Sequence, residues 1–257
     1  MNNIESQPTN SASLPKVAII TGSSRGIGAA IAKRLADDGL AVIINYAGRA
    51  GDAEKVVREI QARGGQAIAV QADVSKPVEV SALFDKAEEA FGGVDIIVNN
   101  AGIMQTGFVN VVDTDDALFD RLFAINVKGT FNALRIAAKR LRQGGRIVNF
   151  STSVVGLALP GYAPYAATKS AVETLTNIFA KELRGREISV NAVAPGPTAT
   201  DLFLDGKTPE QIAHMAKMAP LERLGRPEDI AGVVSFLVGP DGGWVNGQTL
   251  RANGGIV

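Results

Sequence analysis

Tyr165 and Lys169 stand four residues apart in a stretch of helical periodicity, so their side chains share one helix face. A free tyrosine titrates near pH 10, and using its phenolate near pH 7 needs a shift of roughly 3 units, about 4 kcal/mol. One positive charge about 4 Å away supplies about 4 kcal/mol at an effective dielectric of 20. The pair therefore predicts a tyrosine acid/base brought towards neutrality by a lysine. Such a group gives a proton to the alkoxide that develops as a carbonyl is reduced, or takes one from an alcohol being oxidised. Tyr162 is a rival three residues earlier, but Lys169 lies seven residues beyond it. Tyr162 is expected to line the substrate pocket instead.

A second constellation is the turn Thr21-Gly22-Ser23-Ser24-Arg25-Gly26-Ile27-Gly28, which closes an apolar run and opens a helical pattern. Glycines here permit positive φ, close approach of backbone to a pyrophosphate, and tight packing of helix on strand. The helix N-terminus adds free N–H groups and partial positive charge. The next strand-like run ends in Asn45-Tyr46-Ala47-Gly48-Arg49, with no carboxylate. An acidic residue there would bind a ribose 2′-hydroxyl and repel a 2′-phosphate. Its absence favours NADP(H) over NAD(H).

These groups need a scaffold, and the chain alternates short Val/Ile-rich runs with longer amphipathic stretches. Strands are predicted at 16–21, 41–46, 67–71, 94–99, 146–151, 188–193 and 248–251. Helices are predicted at 26–38, 52–63, 77–91, 115–142, 161–183 and 227–238. Strands apolar on both faces suit a covered parallel sheet, and strict alternation suits right-handed crossovers. The expected fold is α/β: a doubly wound, seven-stranded parallel sheet, Rossmann-like, with helices on both faces. A single dinucleotide-binding catalytic domain is expected over 14–257, after a polar, disordered leader over 1–13 with no signal-peptide character. Residues 195–218 are expected to form a loop with a short helix, placed as a substrate lid.

Composition narrows the function classes. Lys+Arg and Asp+Glu both number 26, so no charge excess points to nucleic acid, membrane or a polyanion. There are no cysteines, which removes disulfides, thiolate catalysis and thiolate metal sites and fits a cytoplasmic protein. No apolar run approaches the roughly 20 residues of a membrane span. His214 is the sole histidine and has no clustered ligands beside it, so no metal site is expected. Trp244 is expected to serve packing or a subunit contact.

The turn has the spacing G-x-x-x-G-x-G. With Asn99-Asn100-Ala101-Gly102 and Tyr165-Ala166-Ala167-Thr168-Lys169, it resembles the short-chain dehydrogenase/reductase family in its compact single-domain form. The resemblance runs from about Pro15 to the C-terminus and is similar to bacterial 3-oxoacyl-acyl-carrier-protein reductases and related carbonyl reductases. It implies that Gly22, Ser24, Gly26, Ile27 and Gly28 hold the cofactor phosphates and that Arg25 meets the 2′-phosphate. Asn45 and Tyr46 would border the adenosine, and Asp73 and Val74 would edge the adenine. Asn99, Asn100, Ala101 and Gly102 would line the ribose and lock the neighbouring strand, with Asn100 mainly structural. Pro195, Gly196 and Thr198 would meet the nicotinamide end, Thr200 its carboxamide or a phosphate, and Tyr165 and Lys169 would also touch the cofactor.

The resemblance further implies that Ser153 orients the substrate. Its gap to Tyr165 is one residue shorter than in the commonest members, which leaves Ser151 as an alternative. Asn126 sits in a helical stretch where its side chain competes for backbone hydrogen bonds. By resemblance it bends that helix and holds a water that passes protons to Lys169. The implied activity is NADPH-dependent reduction of a ketone or 3-oxoacyl carbonyl to a secondary alcohol. A polyol, sugar or hydroxysteroid dehydrogenase uses the same chemistry backwards, and a non-catalytic NADP-binding sensor is a third reading. A homotetramer is expected, with a small-molecule carbonyl or alcohol as substrate and neither nucleic acid nor membrane as partner.

Overall fold

The computed structural model describes residues 15–257, so the leader expected over 1–13 lies outside the described residues. Hydrophobic side chains on both faces of each inner strand drive the architecture. Strands β1 (Val17–Ile20), β2 (Ala41–Tyr46), β3 (Gln66–Gln71), β4 (Val94–Asn99), β5 (Leu141–Phe150), β6 (Ser189–Pro195) and β7 (Thr249–Ala252) form one sheet. Their order is β3-β2-β1-β4-β5-β6-β7, and every pairing is parallel.

The period of two along a strand sends alternate residues to opposite faces. Ala18, Ile20, Val42 and Ile44 pack with Ile31 and Leu35 of α1 (Gly26–Asp37), Val56 of α2 (Ala50–Gln61) and Val234 of α10 (Pro227–Val238). Ile19, Ile43 and Ile97 pack on the other face with Phe84 of α3 (Pro77–Phe91) and Leu134 of α5 (Thr130–Arg140). Helices thus cover both faces, as a doubly wound sheet requires. The strand order reverses between β1 and β4, and a crevice opens outside their carboxyl ends. Among the described residues no helix is long and apolar enough to cross a membrane.

Three expectations are corrected. The continuous helix expected over 115–142 is α4 (Asp116–Leu122), a π-helical segment (Phe123–Gly129) and then α5. Asn126 lies within the π segment and holds another part of the chain by hydrogen bonds, which accounts for the break. Strand β5 begins at Leu141 rather than 146, because Leu141 pairs with Val94 before a register shift carries the ladder on to Ile96 and Arg146. The lid segment carries two helices, α8 (Asp201–Leu204) and α9 (Pro209–Met218), not one. Helix α9 has a reciprocal capping box: Thr208 Oγ1 accepts from the Gln211 amide, and Gln211 Oε1 accepts from the Thr208 amide. The remaining helices are α6 (Val154–Leu157) and α7 (Ala163–Glu182).

Candidate active site

Helix α7 starts behind the end of β5, so its first two turns face the sheet's carboxyl edge. Lys169 is buried, and its Nζ donates to the Phe150 carbonyl at 2.8 Å. The same Nζ lies 5.9 Å from the centre of the Tyr165 ring. Burial pushes the Tyr165 phenol up to about 12; a hydrogen bond with the Thr152 hydroxyl pulls it down, and Tyr162 adds a small upward push. Burial also pushes Lys169 down to about 8. Desolvation thus opposes the shift towards neutrality expected from the neighbouring amine. Tyr165 is held as a protonated acid beside a lysine that changes charge just above neutral pH.

That arrangement fixes a pH profile. Below about 8 Lys169 is an ammonium able to stabilise a phenolate left by proton transfer; above it the charge is lost. The kcat for carbonyl reduction is expected to be flat on the acid side and to bend down with a midpoint near 8. Steady-state rates from pH 6 to 10 check it, and a rate that climbs above pH 8 contradicts the assignment.

Three consecutive hydroxyls follow β5, and they go to different places. Ser151 Oγ donates to Glu173 Oε1 of α7 at 2.5 Å. Ser153 Oγ donates to the Ala194 carbonyl at 3.3 Å and accepts from Asn253 Nδ2 at 3.0 Å. Thr152 faces the Tyr165 phenol. Ser153, the residue expected to orient substrate, borders the same cavity, but its hydroxyl ties β6 to the C-terminal segment.

Asn126 is fully buried, and its amide clamps the Ile103 backbone, accepting from N at 2.8 Å and donating to O at 2.9 Å. It also donates to Thr168 Oγ1 at 3.1 Å. The π segment accommodates this side chain in the core, a common use of such bulges near functional sites. Gly102 lies between the two polar groups: a Cβ there would stand 3.3 Å from Asn126 Oδ1 and 3.4 Å from Lys169 Nζ. Asn126 and Lys169 are thus brought to one spot.

Beside this centre a cavity of about 480 Å³ runs over the glycine turn. Gly22, Ser24, Arg25, Gly26, Ile27, Gly28, Asn45, Tyr46, Asp73, Val74, Asn100, Ala101, Gly102 and Thr200 all border it, as expected for a cofactor cleft. Helix α1 begins here without a side-chain cap; its Ala29 amide bonds the Arg25 carbonyl and the preceding turn faces the cleft. Gly28 is dictated by packing, since a Cβ would fall 2.5 Å from Asn100 Nδ2 and 2.6 Å from the Gly22 carbonyl. Asn45 braces the turn, accepting from Gly22 N at 3.1 Å and donating to the Ala72 carbonyl at 3.0 Å. Asn100 donates to the Thr21 and Gly22 carbonyls, in keeping with a structural role. Asn99 ties β4 to the neighbouring strand: it donates to Asn149 Oδ1 at 2.8 Å, and Asn149 donates on to Thr176, a buried ladder joining β4, β5 and α7.

Pro195, Gly196, Thr198 and Thr200 border a second cavity, of about 150 Å³, that meets Thr152, Tyr165 and Lys169. Most of its remaining wall is apolar, with Met104, Leu157, Leu159, Leu202, Phe203 and Met215. Tyr162 lines it as expected, packed edge-on to Phe108 with ring centres 5.4 Å apart. His214 is not part of that wall, and among the described residues no group of three His, Cys, Asp or Glu is placed to hold a metal ion.

The chain is similar to known proteins in sequence and fold. The family model described as Enoyl-(Acyl carrier protein) reductase matches residues 22–257. A short-chain dehydrogenase from Burkholderia cenocepacia J2315, solved in complex with NADP, has a TM-score of 0.87 at 42% identity, covering 94% of this chain and 97% of that one. The chain belongs to the short-chain dehydrogenase/reductase family. It is an oxidoreductase of that family. The NADPH-dependent aldehyde reductase-like protein, chloroplastic, of Arabidopsis thaliana is 47% identical over 254 residues, covering 94% of each chain. The versicolorin reductase of Emericella nidulans is 42% identical, covering 93% of this chain and 95% of its own.

For a short-chain dehydrogenase/reductase, two residues at this site escaped the sequence. Thr152, between the two serines, hydrogen-bonds the Tyr165 phenol and borders the same cavity as Ser151 and Ser153. Asp201, on α8, pairs with Arg25 at 3.2 Å. The two lie 176 positions apart, and no local pattern marks the contact.

Proposed function

We propose that the protein is an NADPH-dependent reductase that converts apolar aldehydes or ketones to alcohols. The observation that carries this reading is a cavity with a largely apolar wall that Tyr165, Thr152 and Lys169 also border. A polyol or sugar needs hydrogen-bonding partners along its length, and Leu157, Leu159, Leu202, Phe203 and Met215 provide none. The relatives named aldehyde reductase and versicolorin reductase support carbonyl reduction.

The cleft fits a 2′-phosphorylated dinucleotide. Its adenosine end has Arg25 and Arg49 on the wall and no carboxylate at the end of β2. The uncapped start of α1 offers amides to the pyrophosphate. A relative named for NADPH dependence and a structure holding NADP add to this. NADPH, when bound, supplies the hydride.

The chain's own residues do the rest. Thr152 and Tyr165 hydrogen-bond the substrate oxygen and take up charge as it develops. Tyr165 gives its proton to that oxygen, and a phenol pushed up to about 12 stays protonated for this until the alkoxide, a stronger base, appears. Lys169 holds charge beside the phenolate, and Asn126 fixes the Ile103 backbone at the junction of the two cavities. Leucines of the pocket exclude water from the oxygen.

A panel of carbonyls assayed by NADPH oxidation tests the reading. Aliphatic and aryl aldehydes and ketones are expected to exceed sugars and polyols in kcat/KM by at least about tenfold, equivalent to about 1.4 kcal/mol. Faster polyol oxidation, or no turnover on any carbonyl, defeats it. The reading includes a homotetramer, because Phe119, Phe131, Ile178 and Trp244 stand exposed on the surface. Light scattering at micromolar concentration is expected to give four times the chain mass, and a monomer contradicts that part.

A further inference from the structure

Arg25 occupies the wall where a 2′-phosphate belongs, yet its guanidinium is already engaged. Its Nη1 lies 3.2 Å from Asp201 Oδ2, and both residues border the cofactor cleft. Asp201 opens α8, whose cap residue Thr200 and next residue Leu202 border the cofactor cleft and the apolar pocket alike. Thr200 also rests on the glycine turn, where a Cβ at Gly26 would stand 3.5 Å from its Cγ2. The root of the lid and the phosphate-binding turn are thus in contact, and one ion pair crosses between them.

A guanidinium edge bonded to a carboxylate is not free to bind a phosphate along that edge. A doubly charged phosphate outcompetes a single carboxylate for it, whereas a neutral ribose hydroxyl does not. We propose that Asp201 is a specificity-determining residue that stands in for the 2′-phosphate. It yields Arg25 to a 2′-phosphorylated dinucleotide and keeps it when an unphosphorylated one binds. This rests on reading the cleft as an NADP(H) site. Asp201 therefore subtracts from NADPH affinity, leaves NADH affinity alone, and tempers the preference that Arg25 creates.

Dissociation constants for NADPH and NADH, measured by nicotinamide fluorescence without any carbonyl present, test it in four proteins: wild type, Asp201→Asn, Arg25→Ala and the double variant. Asp201→Asn is expected to tighten NADPH by about two- to fivefold, the range of an exposed ion pair, and to leave NADH within twofold. In the Arg25→Ala background the same change is expected to do nothing. Raising the salt is expected to shrink the gain. A wild type that binds NADPH no better than NADH overturns the cofactor reading and this inference with it. A wild type that prefers NADPH, with Asp201→Asn neutral, weakening or equally tightening for both cofactors, overturns the inference alone. So does a gain that survives the loss of Arg25.

Discussion

Tyr165→Phe is expected to lower kcat for carbonyl reduction by about 10²- to 10⁴-fold while NADPH binds as tightly as before. The substitution keeps the ring that borders the apolar pocket and removes only the hydroxyl that faces Thr152. Without it the developing alkoxide has no acid, since Thr152 is too weak a donor of protons and Lys169 donates to the Phe150 carbonyl instead. Folding is expected to survive, because Thr152 still accepts from the Val154 amide at 3.3 Å and Lys169 keeps its own partner. Fluorescence titration of NADPH and single-turnover rates on one good carbonyl separate binding from chemistry. A variant retaining more than about a tenth of wild-type kcat removes Tyr165 from the acid's role, and one that loses NADPH binding in parallel shows a structural role instead.

Parts of this site were legible because their chemistry is local. The glycine turn is eight consecutive residues at one strand–helix junction, and Tyr165 and Lys169 share a helix face by spacing alone. The strand pattern was equally local, since each inner strand is apolar on both faces, and the parallel, doubly wound class followed from alternation, whereas the order β3-β2-β1-β4-β5-β6-β7 came only with the structure. Asn126 announced itself as an awkward residue in a helix, although the π segment that houses it depends on a backbone partner, Ile103, 23 residues away. The second lid helix was readable from Thr208-Pro209-Glu210-Gln211, a capping pattern ahead of the helix.

What was not legible depends on where a side chain turns once the strands are paired. Asn45 borders the cofactor cleft and Asn99 does not, but both are buried amides that must first satisfy their own donors and acceptors. Asn45 spends its groups on Gly22, Val70 and Ala72, and Asn99 spends its amide on Asn149. Burial works against the shift expected for Tyr165 for a similar reason. The Coulomb argument had the right size for a charge 4 Å away, but Lys169 is itself desolvated and turned to a carbonyl, so burial governs both groups.

The run Ser151-Thr152-Ser153 turns that lesson into a second large effect. Thr152→Val keeps shape and removes the hydroxyl, and kcat/KM for carbonyl reduction is expected to fall by about 10²-fold, as for one oxyanion donor. Thr152→Ser restores most of it. Ser153→Ala is expected to keep kcat within about threefold, while losing stability of about 0.5–1.5 kcal/mol, because it removes the buried hydroxyl that donates to the Ala194 carbonyl and accepts from the Asn253 amide, which keeps the Val257 carbonyl as its partner. The two variants therefore separate by readout: Thr152 in the rate, Ser153 in the thermal midpoint. Had Ser153 been the hydroxyl that meets substrate, the order would invert, with Ser153→Ala slow and Thr152→Val active. Steady-state kinetics and thermal denaturation on the same preparations decide it, and an inverted order returns the role to the residue that follows Thr152 in the chain.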